Sequence, residues 1–330
     1  MITKRRFLSV AGASGLASIL PAGRQAARSQ TVRNAAHILV GFPPGGTTDV
    51  IARLIASELK GYSPSVIIET RSGAAGRVAL EALKSSAADG SVLSVSPLDT
   101  ITLYPYIYKK LRYDGFQDFI PVTAVCAVPN LISVGSKVPG DVRTLADFIL
   151  WCRANPTQAS YGTPGAGTPL HFTGVMLARA AGFEFVHVPY QGGAPAVQDL
   201  LGGQIAATIV PFDTTLPHIL SGKLRALATT GPQRSAALPD VPTVREAGYP
   251  ALERVGWWGT FLPAKTPADI VEKLDKATRE ALKTNEIKAG LATLSAEIGA
   301  ISPADFAQLA KSSYEQWGPI VQASGFTPQD

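Results

Sequence analysis

A glycine-rich stretch near the start of the chain has the residue types to bind an anion without a basic side chain. Residues 38–40 form a short apolar run typical of a buried strand, and residues 43–46, PPGG, interrupt regular structure. Apolar residues recur at helical spacing over 50–55, and Thr47 or Thr48 is expected to cap that helix. Free amides at a helix start opened by glycines hold anions. The stretch therefore indicates an anion site, with an ordinary strand–helix turn as the alternative.

A second small-residue loop, YGTPGAGTPLHF at 161–172, repeats this design. Its glycines allow close backbone approach, Thr168 is expected to cap a helix, and Pro169 suits the first helical position. Two such loops indicate two lobes that direct helix N-termini at one ligand; two unrelated turns are the alternative. Neither loop is a lysine-bearing P-loop or a G-x-G-x-x-G dinucleotide motif. A carboxylate is therefore favoured over a nucleotide phosphate.

The rest of the chain alternates strand-like with helical runs, which predicts an α/β fold with parallel sheets. Candidate crossings between two lobes lie near 128–131 and 254–257. We therefore expect one lobe at 31–130 and 255–330, and a second lobe at 131–254.

The amino terminus, residues 1–30, has the pattern of an export signal. KRR at 4–6 is a positive start, and 7–20 is a short apolar stretch rich in small residues. KRRFL at 4–8 resembles a twin-arginine signal, with a general secretory signal as an alternative. A cytosolic protein with an apolar basic tail is the remaining alternative. No later run reaches about 18 apolar residues, the length of a membrane span.

Composition narrows the function further. The chain has 330 residues, 46% of them hydrophobic, and a formal net charge of +5. Basic residues are scattered and form no run interleaved with aromatics, so nucleic acid is not an expected partner. The chain's four histidines show no metal-ligand spacing. Cys126, in a strand-like run, and Cys152, in a helix-like run, are expected to be two buried thiols, although an exported protein could pair them.

Short motifs follow one another along the chain: FPPGGTTD (42–49), GAAG (73–76), YGTPGAGT (161–168), VPYQGGAPA (188–196), LGGQ (201–204), LRALA (224–228), LPDVPT (238–243) and WWG (257–259). As a set they resemble the periplasmic receptors of tripartite tricarboxylate transporters, the Bug-type solute receptors. The resemblance implies a two-lobed α/β fold like that of periplasmic binding proteins, with a ligand cleft between the lobes. It implies that the protein is not an enzyme and has no cofactor. The expected protein is a periplasmic monomer that delivers a small organic acid to membrane permease subunits.

Two departures from the family pattern concern the choice of acid. Family members carry dicarboxylates and tricarboxylates, acidic amino acids or aromatic acids. The usual NRPGAGG is here TRSGAAG (70–76), and Val175 and Met176 stand where a glutamate is common. Thr70 has one hydroxyl and cannot span two groups as an amide does. Both changes favour an acid with an apolar body. Arg71 and Arg77 are candidates for a distal carboxylate, with a solvated position as the alternative.

The two loops and the resemblance together indicate the ligand-binding residues. Gly46, Thr47 and Thr48 are expected to hold one carboxylate jointly with Gly167 and Thr168. The full set of candidates is Phe42, Gly45, Gly46, Thr47, Thr48, Asp49, Thr70, Ser96, Thr163, Gly167, Thr168, His171, Tyr190, Gln191, Gly192 and Asp213.

Several of these candidates have a structural alternative. Asp49 suits the first turn of its helix, where it would orient the loop rather than meet an anion. Phe42 and Tyr190 are pocket walls or ordinary core aromatics. His171 is a contact or a buried structural residue, and Asp213 receives a ligand amino or hydroxyl group or caps a turn. The tryptophan pair at 257–258 indicates hinge packing rather than stacking on a ligand.

Two rival functions remain at this level. A secreted hydrolase would need a nucleophile elbow or a metal cluster, and the sequence shows neither motif, although four histidines leave a triad open. A sensory receptor that docks on a membrane signalling protein would carry the same ligand site as a transport receptor. The sequence does not separate transport from signalling.

We predict that the exported protein begins between about residues 22 and 32, because the basic, apolar and small-residue regions of the signal end there. Mass spectrometry of periplasmic protein would give the mature terminus. An intact Met1 in a cytosolic fraction would contradict export.

Overall fold

The structure, a computed structural model, describes residues 35–329 and contains two β-sheets flanked by helices. The predicted export segment, residues 1–30, lies outside the described residues. In the part of the chain that the structure describes, no helix is both long and apolar enough to cross a membrane.

Strands and helices follow in close alternation. The strands are β1 (Ala36–Val40), β2 (Val66–Thr70), β3 (Val92–Pro97), β4 (Phe119–Val128), β5 (Asn130–Val134), β6 (Ser160–Thr163), β7 (Val186–Pro189), β8 (Ala207–Pro211), β9 (Arg225–Thr229), β10 (Gly256–Pro263) and β11 (Glu297–Ile301). The helices are α1 (Thr47–Glu58), α2 (Arg77–Lys84), α3 (Asp99–Thr102), α4 (Tyr104–Ile107), α5 (Leu145–Ala154), α6 (Pro169–Ala181), α7 (Gly193–Leu201), α8 (Phe212–Leu220), α9 (Ala268–Ala281), α10 (Asn285–Thr293) and α11 (Pro303–Ser324).

Each sheet is the centre of one lobe, as the α/β, two-lobed fold prediction requires. The first lobe has a six-stranded sheet in the order β11-β4-β10-β3-β1-β2. The second lobe has a five-stranded sheet in the order β7-β6-β8-β5-β9. The chain passes from the first sheet at Val128 to the second at Asn130, with Pro129 alone between them, and rejoins the first sheet at Gly256.

The prediction of parallel sheets is wrong for part of each sheet. Strands joined by crossover helices are parallel, as in β1 with β2 and β3, and β6 with β7 and β8. In contrast, β10 is antiparallel to β3 and β4, β11 to β4, and β5 to β8 and β9. The reason is that β5 and β10 enter their sheets from the other lobe, so no crossover helix fixes their direction.

The two lobes have separate hydrophobic cores. Ile38 and Val40 of β1 pack with Ile55 of α1 in the first core, and all three side chains are buried. Phe148 of α5 and Tyr161 of β6 belong to the second core. Each core results from apolar strand faces covered by the apolar stripes of amphipathic helices.

Helix α11 joins the lobes. Phe306, near its start, packs on Phe261 of β10 with ring centroids 5.5 Å apart. Trp317, further along, contacts Phe172 of α6 in the second lobe at 5.9 Å. The same helix is therefore part of the first lobe and a support for the second.

Cys126 and Cys152 are free and buried, which confirms the prediction of two thiols. Cys126 lies in the first core and Cys152 in the second. Burial raises the pKa of Cys152 to about 12 and raises that of Cys126 further.

We predict that Gly259→Ala destabilises the protein strongly, by about 1–3 kcal/mol or more, because added volume in a packed core forces strain. A Cβ at this position of β10 would lie 2.3 Å from the Phe306 ring and 2.9 Å from the Thr123 carbonyl oxygen. Gly140→Ala is the matched control, since a Cβ there meets nothing within 4 Å. Urea denaturation of both variants measures the difference, and equal midpoints would contradict the packing argument.

Candidate ligand site between the lobes

A cavity of about 460 Å³ lies between the two lobes, a volume typical of small-molecule sites. Residues of both sheets' connecting loops form its wall, at the carboxyl ends of parallel strands. The wall is formed by Phe42, Pro43, Pro44, Gly45, Gly46, Thr47, Thr48, Pro97, Asp99, Thr100, Tyr104, Asn130, Pro164, Thr168, Pro169, Leu170, Thr173, Gln191, Gly192, Gly193, Ala194, Pro195, Pro211, Asp213, Thr214, Arg254, Val255, Gly256 and Trp258.

Helix α1 begins at the cavity without a side-chain cap. Gly46 is its N-cap, so the prediction that Thr47 or Thr48 caps the helix is wrong. Gly45, with φ at +78°, turns the chain into the helix through a conformation that glycine adopts without strain. Among the described residues, the amides of Thr47, Thr48 and Asp49 have no hydrogen-bond acceptor. These amides carry the positive end of the helix dipole and suit an anion.

Asp49 holds the loop and does not face the cavity. Its Oδ2 accepts hydrogen bonds from the Gly45 amide at 2.9 Å and from Arg53 Nε at 2.8 Å. Burial acts to raise the pKa of Asp49, but Arg53 and the Gly45 amide outweigh it and lower the pKa overall. Asp49 Oδ2 is therefore paired inside its own loop, whereas Oδ1 is buried and has no hydrogen-bond partner among the described residues. The orienting role expected for Asp49 stays a prediction, which the two bonds to Oδ2 support.

The two threonines of α1 have different partners. Thr48 Oγ1 accepts a hydrogen bond from Trp258 Nε1 at 2.9 Å, and its own proton has no acceptor among the described residues. Thr47 Oγ1 donates across the cleft to the Asp213 carboxylate, at 3.1 and 3.2 Å. Thr48 therefore has a hydroxyl donor available to a ligand, whereas Thr47 links the first lobe to the second.

The second lobe directs further helix starts at the same cavity. Thr168 caps α6 by accepting from the His171 amide, with Pro169 at the first position, which confirms both predictions. The amides of Thr168 and Leu170 have no acceptor within the described chain. Helix α7 starts after Gly192 with no side-chain cap, and α8 brings Asp213 and Thr214 to the wall. Four helix starts, those of α1, α6, α7 and α8, thus surround the cavity.

Asp213 adds a negative charge to this wall. Burial raises the pKa of Asp213, and the hydrogen bond from Thr47 opposes that effect. Its position in the first turn of α8 stabilises the ionised form through the helix dipole.

The structure brings together nine of the candidate residues: Phe42, Gly45, Gly46, Thr47, Thr48, Thr168, Gln191, Gly192 and Asp213. Asp49, Thr70, Ser96, Thr163, Gly167, His171 and Tyr190 do not line the cavity. Thr70 is exposed at the end of β2, and the Ser96 hydroxyl is paired with Thr100.

The remaining four support the second loop from behind. Gly167 faces Ile107 and Phe326, since a Cβ there would lie 2.7 Å from Ile107 Cδ1. His171 Nδ1 accepts from the Gly167 amide, and its ring stacks on His187 at 3.9 Å. The Thr163 hydroxyl bonds to His187 and to the carbonyl of residue 165, and Tyr190 donates to a carboxylate of α7. These side chains shape the loop rather than the cavity surface.

The two stacked histidines, both half-buried, are not suited to proton transfer near neutral pH. Burial lowers the pKa of His171 to about 4 and that of His187 to about 3. Neither ring lines the cavity. Within residues 35–329, no group of three or more His, Cys, Asp or Glu residues could hold a metal ion.

Asp99 and Arg254 are the chief residues of the wall that were not predicted from the sequence. Arg71 pairs with Glu69, and Arg77 lies 3.7 Å over the Tyr108 ring, so neither candidate for a distal carboxylate lines the cavity. Arg254 lies two residues before β10 and is the first residue of the expected crossing at 254–257. Its position at a crossing between the lobes was the one sequence feature that could have indicated Arg254 as a site residue, because residues at such a crossing lie close to the cleft.

Comparison with known proteins agrees with this arrangement. The family model of the tripartite tricarboxylate transporter family receptor matches residues 51–326. The chain belongs to this family. It is a family of periplasmic solute-binding receptors, which is not a class of enzymes.

Relatives match this chain over most of its length, one of them by sequence and two by solved structures. Protein BugT of Bordetella pertussis is 32% identical over 291 residues, which cover 88% of this chain and 89% of BugT. R. palustris Rpa4515, solved with adipate, is 31% identical with a TM-score of 0.84, covering 90% of this chain and 99% of that one. MatC from Rhodopseudomonas palustris, solved with bound malate, is 30% identical with a TM-score of 0.79, covering 88% and 99%.

We predict that Thr48→Val lowers the free energy of unfolding by about 1–3 kcal/mol, because the buried indole N–H of Trp258 loses its acceptor. Thr48→Ser keeps a hydroxyl and serves as the control. Chemical denaturation of the ligand-free proteins makes the comparison, and equal stability of the valine and wild-type proteins would refute the role assigned to this bond.

Proposed function

We propose that this receptor captures a small organic acid in the cavity between its lobes and delivers it to the permease subunits of a tripartite tricarboxylate-type transporter. The observation that carries the proposal is the set of four helix starts around one cavity, with unpaired amides on both sides of it. Helix N-termini favour anions, and neutral amides cost less to desolvate than a charged side chain.

One carboxylate of the ligand is held between the two glycine-rich loops. From the first lobe it receives the amides of Thr47 and Thr48 and the free hydroxyl proton of Thr48. From the second lobe it receives the amides of Thr168 and Leu170. Donors from both lobes make contact only when the cleft is closed, so the carboxylate stabilises the closed form.

The body of the ligand lies against apolar surface. Phe42, Pro169, Leu170, Tyr104 and Val255 all contribute to the wall. This composition supports an aliphatic or aromatic acid. The two relatives bind adipate and malate, which are small organic acids.

Closure follows from the connections between lobes. We propose that residues 31–130 with 255–330, and residues 131–254, move as two bodies about the crossings at Pro129 and near Gly256. The hydrogen bond from Thr47 to Asp213 spans the cleft and belongs to the closed form.

Isothermal titration calorimetry tests the proposal with acids and their neutral amides: adipate with adipamide, hexanoate with hexanamide, and benzoate with benzamide. At least one acid is expected to bind, and its amide at least about tenfold more weakly, since the helix starts select negative charge. A neutral sugar or a nucleotide that binds more tightly than every acid would contradict the ligand class.

We further predict that Gly46→Val abolishes acid binding while the fold persists, because it adds bulk at the carboxylate position. A Cβ at Gly46 would lie 3.3 Å from the Pro43 carbonyl oxygen, a contact that a small shift relieves, and its φ of −80° suits any residue. Gly140→Ala is the control with unchanged binding. Wild-type affinity in the Gly46 variant would show that the carboxylate lies elsewhere.

A further inference from the structure

Arg254 is the one basic side chain in the cavity wall formed by the described residues. The other groups there that favour an anion are neutral: backbone amides, hydroxyls and the side-chain amides of Asn130 and Gln191. A guanidinium has five N–H donors in a planar fork that matches a carboxylate, and it stays charged at any physiological pH. A charged guanidinium in a largely apolar wall is costly to desolvate, so a role in binding would explain its presence there.

The guanidinium of Arg254 is held in place but has no hydrogen-bond acceptor. Its Cζ lies 4.4 Å from the centre of the Trp317 ring, a cation–π contact with helix α11. The Arg254 amide donates to the Thr230 carbonyl at 2.9 Å, which fixes the backbone. Within residues 35–329 the side chain forms no hydrogen bond and has no carboxylate oxygen within 4 Å. Its donors therefore remain free beside the cavity.

Asp99 is the acidic group whose charge acts on Arg254, yet its carboxylate accepts a hydrogen bond from another residue. Its Oδ1 accepts a hydrogen bond from Trp317 Nε1 at 3.1 Å. Burial raises the pKa of Asp99 to about 6, against the opposing charge of Arg254 and the bond from Trp317. Burial also lowers the pKa of Arg254, and Asp99 only partly offsets this. The two charges influence each other at a distance without forming the paired contact that would satisfy the guanidinium.

A half-buried guanidinium without an acceptor is costly, and a carboxylate that reaches it gains a strong charge-assisted bond. The planar fork is already oriented by Trp317, so little conformational entropy is lost on binding. We propose that Arg254 binds the second carboxylate of a dicarboxylic acid whose first carboxylate lies between the two glycine-rich loops. This assignment rests on the proposed function, because it needs the first carboxylate to occupy the loops.

In this proposal two kinds of hydrogen-bond donor have different roles in binding the acid. The helix starts accept any carboxylate, whereas Arg254 selects among acids by what they carry at the other end. Asp99 disfavours a second anion that is displaced from the guanidinium, because like charges repel in a cavity of low dielectric. The apolar wall between the two ends accommodates the carbon chain or ring.

Matched ligand pairs test this assignment by calorimetry: succinate with butanoate, adipate with hexanoate, and terephthalate with benzoate. For the diacid that fits, wild-type protein is expected to prefer it at least about tenfold over its monoacid. Arg254→Met keeps the length of the stem but removes the charge and donors. It is expected to lower diacid affinity to the level of the monoacid and to change monoacid affinity less than about threefold.

Arg254→Lys should retain part of the preference, since it keeps a charge but loses the fork and the stacking on Trp317. Arg179→Met is the charge control, because Arg179 lies on α6 outside the cavity wall, and it should leave the preference intact. Thermal unfolding checks that each variant is folded, and Arg254→Gln replaces the methionine variant if that one unfolds.

Two results would overturn the assignment: a wild-type protein without preference in any pair, or a folded Arg254→Met protein that keeps its preference. Equal loss of monoacid and diacid binding in that variant would also overturn it, by showing that Arg254 only supports the fold of the site. Failure of the proposed function looks different, since acids and their neutral amides would then bind wild-type protein alike.

Discussion

Backbone amides without an acceptor at the starts of helices give the cavity between the lobes its chemical character. The first amides of a helix have no partner inside it and need a cap, water or a ligand. Helices α5, α10 and α11 begin away from the cavity, and the side chains of Thr144, Thr284 and Ser302 cap them. Helices α1 and α7 begin at the cavity after Gly46 and Gly192, and neither has a side-chain cap. Helix α6 also begins at the cavity and has the Thr168 cap, while α2 and α9 begin away from it without a side-chain cap. What distinguishes the cavity is that helix-start amides of both lobes, among them those of Thr47, Thr48 and Leu170, surround one space without an acceptor in the described chain.

The two lobes also contact each other directly at the cavity. The hydrogen bond between Thr47 and Asp213 joins the two helix starts across the cleft. A contact of this kind favours the arrangement of the lobes in which the helix starts of both lie around one space. The same bond holds the Asp213 carboxylate to one side, where the dipole of α8 balances its charge.

Much of the fold could be predicted from the sequence because the signals were local. Helix α5 at Leu145–Ala154 and the Thr168 cap with Pro169 follow from periodicity and capping chemistry alone. Strand β11 at Glu297–Ile301 was missed, since EIGAI is a short edge strand with a central glycine and exposed residues. The direction of β5 and β10 was predicted wrongly, because it depends on the lobe from which the chain enters the sheet. No local sequence pattern carries that information.

The part of the site that consists of a glycine-rich loop and the helix after it could be predicted from the sequence. The part that depends on residues distant in sequence could not. The glycines of the loop at 42–48 and the helical pattern that follows them predict this loop as a binding element. Gly167 and His171 lie in an equally conspicuous motif, yet they support the loop from behind, because Gly167 packs on Ile107 and the His171 ring stacks on His187. Asp99 and Arg254 are 155 positions apart in the numbering and have no motif, so only the packing of α11 beneath the cavity places them together.

The two cysteines have a consequence for how the chain matures. Thiolate is the form that attacks a disulfide, and the raised pKa values of Cys126 and Cys152 make it scarce in the folded protein. Each thiol is enclosed in the core of a different lobe, so a bond between them would require both cores to open. In an oxidising compartment the danger is therefore confined to the time before folding. Burial in two separate cores, rather than any pairing partner, protects the thiols once the lobes are folded.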